Sequence, residues 1–119
     1  MKAITTILIL LFTLSLYSQK LITLDSISCN GGKNVKICEK VTDIFKAQGD
    51  EKPTYINFGG KFPDHKFTVV IFAKDYPNFP YSHAEFLKDK KVCITGIIAY
   101  YKERPQIIAK NTEQIEVRE

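Results

Sequence analysis

The 119-residue sequence predicts an all-β domain with one short helix: a five-stranded Greek-key barrel with the helix between strands 3 and 4. Three observations lead there. Short β-branched and aromatic runs alternate with a two-residue period and are cut by glycine and proline. Between the third and fourth runs, Ser82 and Glu85 stand at capping-box spacing ahead of a brief apolar helical patch. Residues 91–110, KVCITGIIAYYKERPQIIAK, form two strands around a polar turn, with Gly96 inside the first. A glycine within an apolar strand marks a bend or a close backbone approach, and a strand that bends and turns straight back is how small barrels close.

In chain order, residues 1–18 have the layout of a secretory signal peptide. Lys2 is the one early charge, the run after it is apolar, and Ser18 is the small residue that places cleavage between Ser18 and Gln19. The run is short for the roughly twenty residues of a spanning helix. Residues 19–34 form an arm or edge strand around Gly31-Gly32, and residues 35–119 form the domain. Strand 1 covers 35–45, and its alternation slips near Glu39-Lys40 as a bulged strand would. A polar loop with a Gly49-Asp50 step leads to strand 2, 54–58, which points Ile56 and Phe58 inward and Tyr55 and Asn57 outward. Strand 3, 67–72, places Thr68, Val70 and Phe72 on its outer face. Prolines in 75–80 end the ladder. The helix at Ser82 is about two turns long, strand 4 covers 91–100, and the turn Lys102-Glu103-Arg104-Pro105 leads to strand 5, 106–110. Residues 114–117 make a short alternating edge.

Composition narrows the function classes. Seventeen Lys and Arg face thirteen Asp and Glu, and loss of Lys2 with the leader leaves a balance of +3 with both signs mixed. That field is too even to imply nucleic acid by itself. The three cysteines matter because an exported chain meets an oxidising compartment. Cys38 and Cys93 each alternate out of phase with apolar neighbours, so a Cys38 to Cys93 bridge is preferred and Cys29 is the odd thiol. A Cys29 to Cys38 bridge, or three unbridged buried cysteines, are the alternatives.

Three strands, a helix and two further strands, with a bulged first and a bent fourth, is the order of the OB-fold barrel. The segments 38–41, 55–63, 67–72, 92–96 and 101–108, including Val92-Cys93-Ile94-Thr95-Gly96 and Tyr101-Lys102-Glu103-Arg104-Pro105-Gln106-Ile107, resemble small exported bacterial OB-fold domains of the nucleic-acid-binding or nuclease-associated type. One departure is Glu39, where that family is expected to have glycine.

Such a barrel binds single strands through strands 2 and 3 and the loops joining strands 1 to 2 and 4 to 5, with aromatic faces for bases and cations for the backbone. Here the candidates are Tyr55, Asn57, Phe72, Tyr101, Lys102 and Arg104, with Lys46, Lys52, Lys61 and Lys66 as further cations. Tyr100 continues the Val92, Ile94, Ile98 side and is assigned to the core. Catalysis finds no support. His65 and His83 fall in different loops without a third ligand at metal spacing, Asp64-His65 is a solvated turn, and no nucleophile stands with a supporting base. The expectation is a periplasmic or extracellular binding protein without cofactor or metal, for single-stranded DNA or RNA. The alternative is a module for a protein, peptide or oligosaccharide partner.

Overall fold

The computed structural model describes residues 19–49 and 51–118. The expected signal peptide and Ser18 lie outside the described residues, as does Asp50. The chain is mostly β-sheet with few, short helices. Its strands are β1 (Lys20–Ile22), β2 (Asn34–Lys46), β3 (Thr54–Phe58), β4 (Phe67–Ile71), β5 (Lys91–Ile97), β6 (Ala99–Tyr101), β7 (Arg104–Ile108) and β8 (Ile115–Arg118). Short 3-10 helices cover Leu24–Cys29, Ala73–Asn78 and Thr112–Gln114, and the α-helix α1 covers His83–Phe86.

The strands form one eight-stranded sheet whose hydrogen-bonded path runs β6-β7-β4-β3-β2-β5-β8, with β1 added beside β2. Eight strands stand where five were expected. The arm supplies β1, the expected fourth strand is split at Ile98 into β5 and β6, and β8 is a separate edge. β2 is the hub. Its second half pairs antiparallel with β3, its first half pairs antiparallel with β5, and its opposite edge takes β1 in parallel. β7 lies parallel to β4, with Thr68 opposite Gln106.

Period-two patterning explains the core. Val35, Ile37 and Val41 of β2, Ile56 and Phe58 of β3, Phe67, Val69 and Ile71 of β4, Val92 and Ile94 of β5 and Ile107 of β7 are all buried on one side of the sheet. Each such side chain removed from water contributes about 1.5–3 kcal/mol, so this face fixes the register. The slip in β2 falls between Val41 and Asp43, just beyond Glu39, which pairs regularly with Val92. Gly96 is a site of close approach: a Cβ there would stand 2.5 Å from Ile107 Cγ2.

Several expectations are corrected. Of the arm or edge strand expected over residues 19–34, the structure shows the strand rather than a loose arm, with β1 paired to β2 and Ile27 of the following 3-10 helix buried. Helix α1 has four residues rather than two turns, and the Ser82 side chain makes no capping bond. The next residues are Leu87 and a left-handed Asp89 at φ 60°, so there is no length of helix for a cap to hold. Lys102 and Glu103 alone make the last hairpin turn, both at positive φ. This is the two-residue geometry whose twist matches the flanking strands, and Arg104 and Pro105 therefore belong to β7.

Tyr100 is exposed rather than core. Ile98 is buried between β5 and β6 and takes the inward position, which leaves Tyr100 to lie against Gly31, where a Cβ would meet its ring at 2.9 Å. Cys38 and Cys93 are direct cross-strand partners and form a disulfide. Cys29 is free and exposed.

Candidate nucleic-acid interface

One groove of about 480 Å³ opens where β2, β3, β4 and β7 present their outer faces under the β3–β4 loop and the β6–β7 turn. It gathers five of the six residues expected to bind: Tyr55, Asn57, Tyr101, Lys102 and Arg104. Phe72 is not among them. The chain leaves β4 at Ile71, so Phe72 becomes the residue before the 3-10 helix Ala73–Asn78 and lines a separate depression with Glu51, Ala73 and Lys74. Lys46, Lys52, Lys61 and Lys66 do not line the groove either. Lys46 lies over the Tyr76 ring at 5.4 Å, and Lys66 pairs with Asp25 at 3.9 Å.

The floor is a polar chain built across three strands. Asn57 of β3 is almost fully buried. Its Oδ1 accepts from the Thr68 hydroxyl at 2.9 Å, and its Nδ2 donates to Asp43 Oδ2 at 3.2 Å. The Phe62 backbone N–H donates to the same carboxylate oxygen at 3.1 Å. Outward-facing Asn57 and Thr68 are thus buried by the groove's own walls, and their hydrogen bonds offset the cost of removing them from water. The Thr42 hydroxyl adds a second tie to the loop, accepting from Gly60 N–H at 3.2 Å and standing 2.9 and 2.6 Å from the Asn57 and Gly60 carbonyls.

The walls are aromatic and cationic. Phe45 and Tyr55, opposite each other on β2 and β3, stack with centroids 6.3 Å apart. Phe62 stacks on His65 at 5.7 Å, and Lys102 lies over the Tyr101 ring at 5.4 Å. Phe45, Phe62 and Tyr101 are 57%, 71% and 60% exposed, so their faces meet solvent. Arg104 donates to the Pro63 carbonyl at 2.7 Å and reaches the two nitrogens of the His65 ring at 3.0 and 3.3 Å. Burial and then the Arg104 charge hold the His65 pKa below its ordinary 6.5, while Asp43 and Asp64 pull weakly the other way. A neutral imidazole is the form that accepts from a guanidinium.

His65 is therefore a half-buried partner of Arg104, not a solvated turn residue. His83 is no loop residue but the buried first residue of α1, packed edge-on against Phe79 at 4.7 Å. Among the described residues no group of three or more His, Cys, Asp or Glu is placed to hold a metal ion, and no helix is long and apolar enough to cross a membrane.

Phe45, Phe62 and Asp43 were not singled out as binding residues. The signal for Phe45 is its cross-strand position opposite Tyr55, visible once β2 and β3 are paired through the loop. Phe62 lies in a turn whose sequence gives no orientation, and its cis peptide bond to Pro63 has no signature beyond the proline.

No family model and no curated protein sequence matches the chain. Among solved structures, 62 chains match it, and a shared fold does not by itself select a ligand. One is a protein from Leishmania major Friedlin described as an aspartyl-tRNA synthetase, with a TM-score of 0.53 and 11% identity over 88% of this chain. This chain spans 22% of the length of that protein, and the likeness is one of fold.

Proposed function

We propose that this protein is an exported, non-enzymatic OB-fold barrel that binds single-stranded nucleic acid along the groove. The barrel reading is supported by the path of the sheet. β5 and β6 are one ribbon broken only at Ile98. β5 sits on β2 while β6 sits on β7, and β7 runs parallel to β4. Export is supported by the Cys38–Cys93 disulfide, a bond that persists in oxidising compartments.

The ligand reading rests on one observation: exposed Phe45, Phe62 and Tyr101 and half-buried Tyr55 surround the same groove as Lys102 and Arg104. Rings that stack on bases, beside cations that follow phosphates, are what sequence-tolerant single-strand binding requires. The similar Leishmania protein is, by its description, one that works with an RNA.

Fluorescence anisotropy with a labelled oligothymidine tests the proposal. Two phosphate contacts, from Lys102 and Arg104, weaken single-strand binding about seven-fold between roughly 50 and 200 mM salt. No binding at the lower salt would overturn the reading. The Asp43 and Asn57 pair on the floor favours a second reading, in which hydroxyls or amides of an oligosaccharide or peptide are bound. Affinity for such a ligand that ignores salt would establish it.

A further inference from the structure

We infer that the groove selects guanine over the other bases, with Asp43 as the specificity-determining residue; this rests on the nucleic-acid reading of the same groove. A carboxylate is an odd neighbour for a phosphate backbone, since it repels one. Asp43 nevertheless lines the groove and is held in a fixed position, because Asn57 Nδ2 and the Phe62 backbone N–H both donate to its Oδ2. Its Oδ1 takes no hydrogen bond among the described residues. The groove therefore displays an oriented, charged acceptor beside the stacking rings Phe45, Tyr55 and Phe62, where the edge of an inserted base would meet it.

The chemistry of the bases decides which edge fits. Guanine presents two adjacent donors, N1–H and the N2 amine, followed by the O6 acceptor. Adenine and cytosine present one amine next to an unprotonated ring nitrogen, whose lone pair faces the carboxylate unfavourably. Thymine and uracil present a single N–H between two carbonyls, which repel it from both sides. A donor for O6 is present as well. Gln106 on β7 lines the groove, in register with Thr68 of β4. The open oxygen of Asp43 on β2 is an acceptor for guanine's adjacent donors, and Gln106 on β7 is a donor lining the same groove.

The test uses oligothymidines carrying one central guanine, hypoxanthine, adenine or cytosine, measured by anisotropy at low salt against the full chain. A hydrogen bond to a charged group predicts about ten-fold tighter binding of the guanine oligomer than of oligothymidine. Hypoxanthine, which lacks the N2 amine, should lose most of that gain with the protein unaltered. Asp43→Asn should abolish the guanine preference, read as the ratio of guanine-oligomer to oligothymidine affinity within the variant, with the melting temperature recorded because Asp43 also anchors Phe62. Equal affinity for all oligomers, or a preference that survives both Asp43→Asn and the hypoxanthine exchange, overturns the inference and leaves nucleic-acid binding standing. Failure of every oligomer to bind overturns both.

Discussion

Arg104 donates to the Pro63 carbonyl at 2.7 Å, so the strand β7 residue expected to meet a phosphate also fastens the loop that presents Phe62. Arg104→Ala should lower oligonucleotide affinity and release residues 59–66. Losing hydrogen bonds worth about 1 kcal/mol lowers the melting temperature by roughly 4–8 °C in a domain of this size. Arg104→Lys keeps the charge but not the planar fork, and should restore part of the binding without the loop's protection from protease. Calorimetry and limited proteolysis of the two variants separate these roles.

Phe62 and Tyr101 present their rings to water, and beyond the stack on His65 and the Lys102 cation neither is part of the core. Phe62→Ala and Tyr101→Ala should each weaken single-strand binding by about 1–3 kcal/mol with an unchanged melting temperature. Anisotropy and thermal unfolding on the same samples provide the check, and a large loss of stability would assign the rings to packing.

Stability should fall in mild acid. Burial, and secondarily the Lys46 charge, lowers the pKa of His83 below 6.5, and His65 is shifted the same way by burial and Arg104. With folded values below the unfolded one, the unfolded chain takes up protons first as pH drops. The contribution is complete above pH 6.5 and is lost as pH falls through the folded values. Melting curves between about pH 7.5 and 5 should show the decline, and His83→Gln should flatten it. A profile that rises toward acid would contradict both assignments.

Gly96→Val should destabilise the domain by about 1–3 kcal/mol or more, because its Cβ would overlap Ile107 on β7. Gly96→Ala and Ile107→Ala should lose less together than the sum of their separate losses, because alanine lacks the Cγ2 methyl that the new Cβ would meet, measured by chemical denaturation.

Reduction of the disulfide opens a loop of 55 residues and should cost about 4 kcal/mol on the chain-entropy estimate. Cys38→Ser with Cys93→Ser should show the same loss without reductant, and Cys29→Ser should leave stability unaltered.

The parts of this fold legible in the sequence are those where a local rule and the global packing agree. Alternation at Ile56 and Phe58, the close approach at Gly96 and the matching phase of Cys38 and Cys93 are each features of a strand that the structure shows. The helix was overestimated because Ser82 and Glu85 match a motif that only a longer helix can use. Tyr100 was misplaced because Ile98 sits at the break between β5 and β6 and resets the alternation beyond it. Within the candidate site, Tyr55 and Tyr101 are legible as strand aromatics and Lys102 as a turn cation, and Arg104 follows on β7. Phe72 was lost to a strand ending one residue early. Asp43 and Phe62 become partners only through the β3–β4 loop, a tertiary relation that no spacing encodes.

The position of β2 has a kinetic corollary. Half of its length waits for β5, some fifty residues further along the chain, and β4 waits for β7 across the helix and the last hairpin. Long closures of this kind slow folding. The hydrogen-bonded sheet is therefore completed only once the C-terminal third of the chain is present.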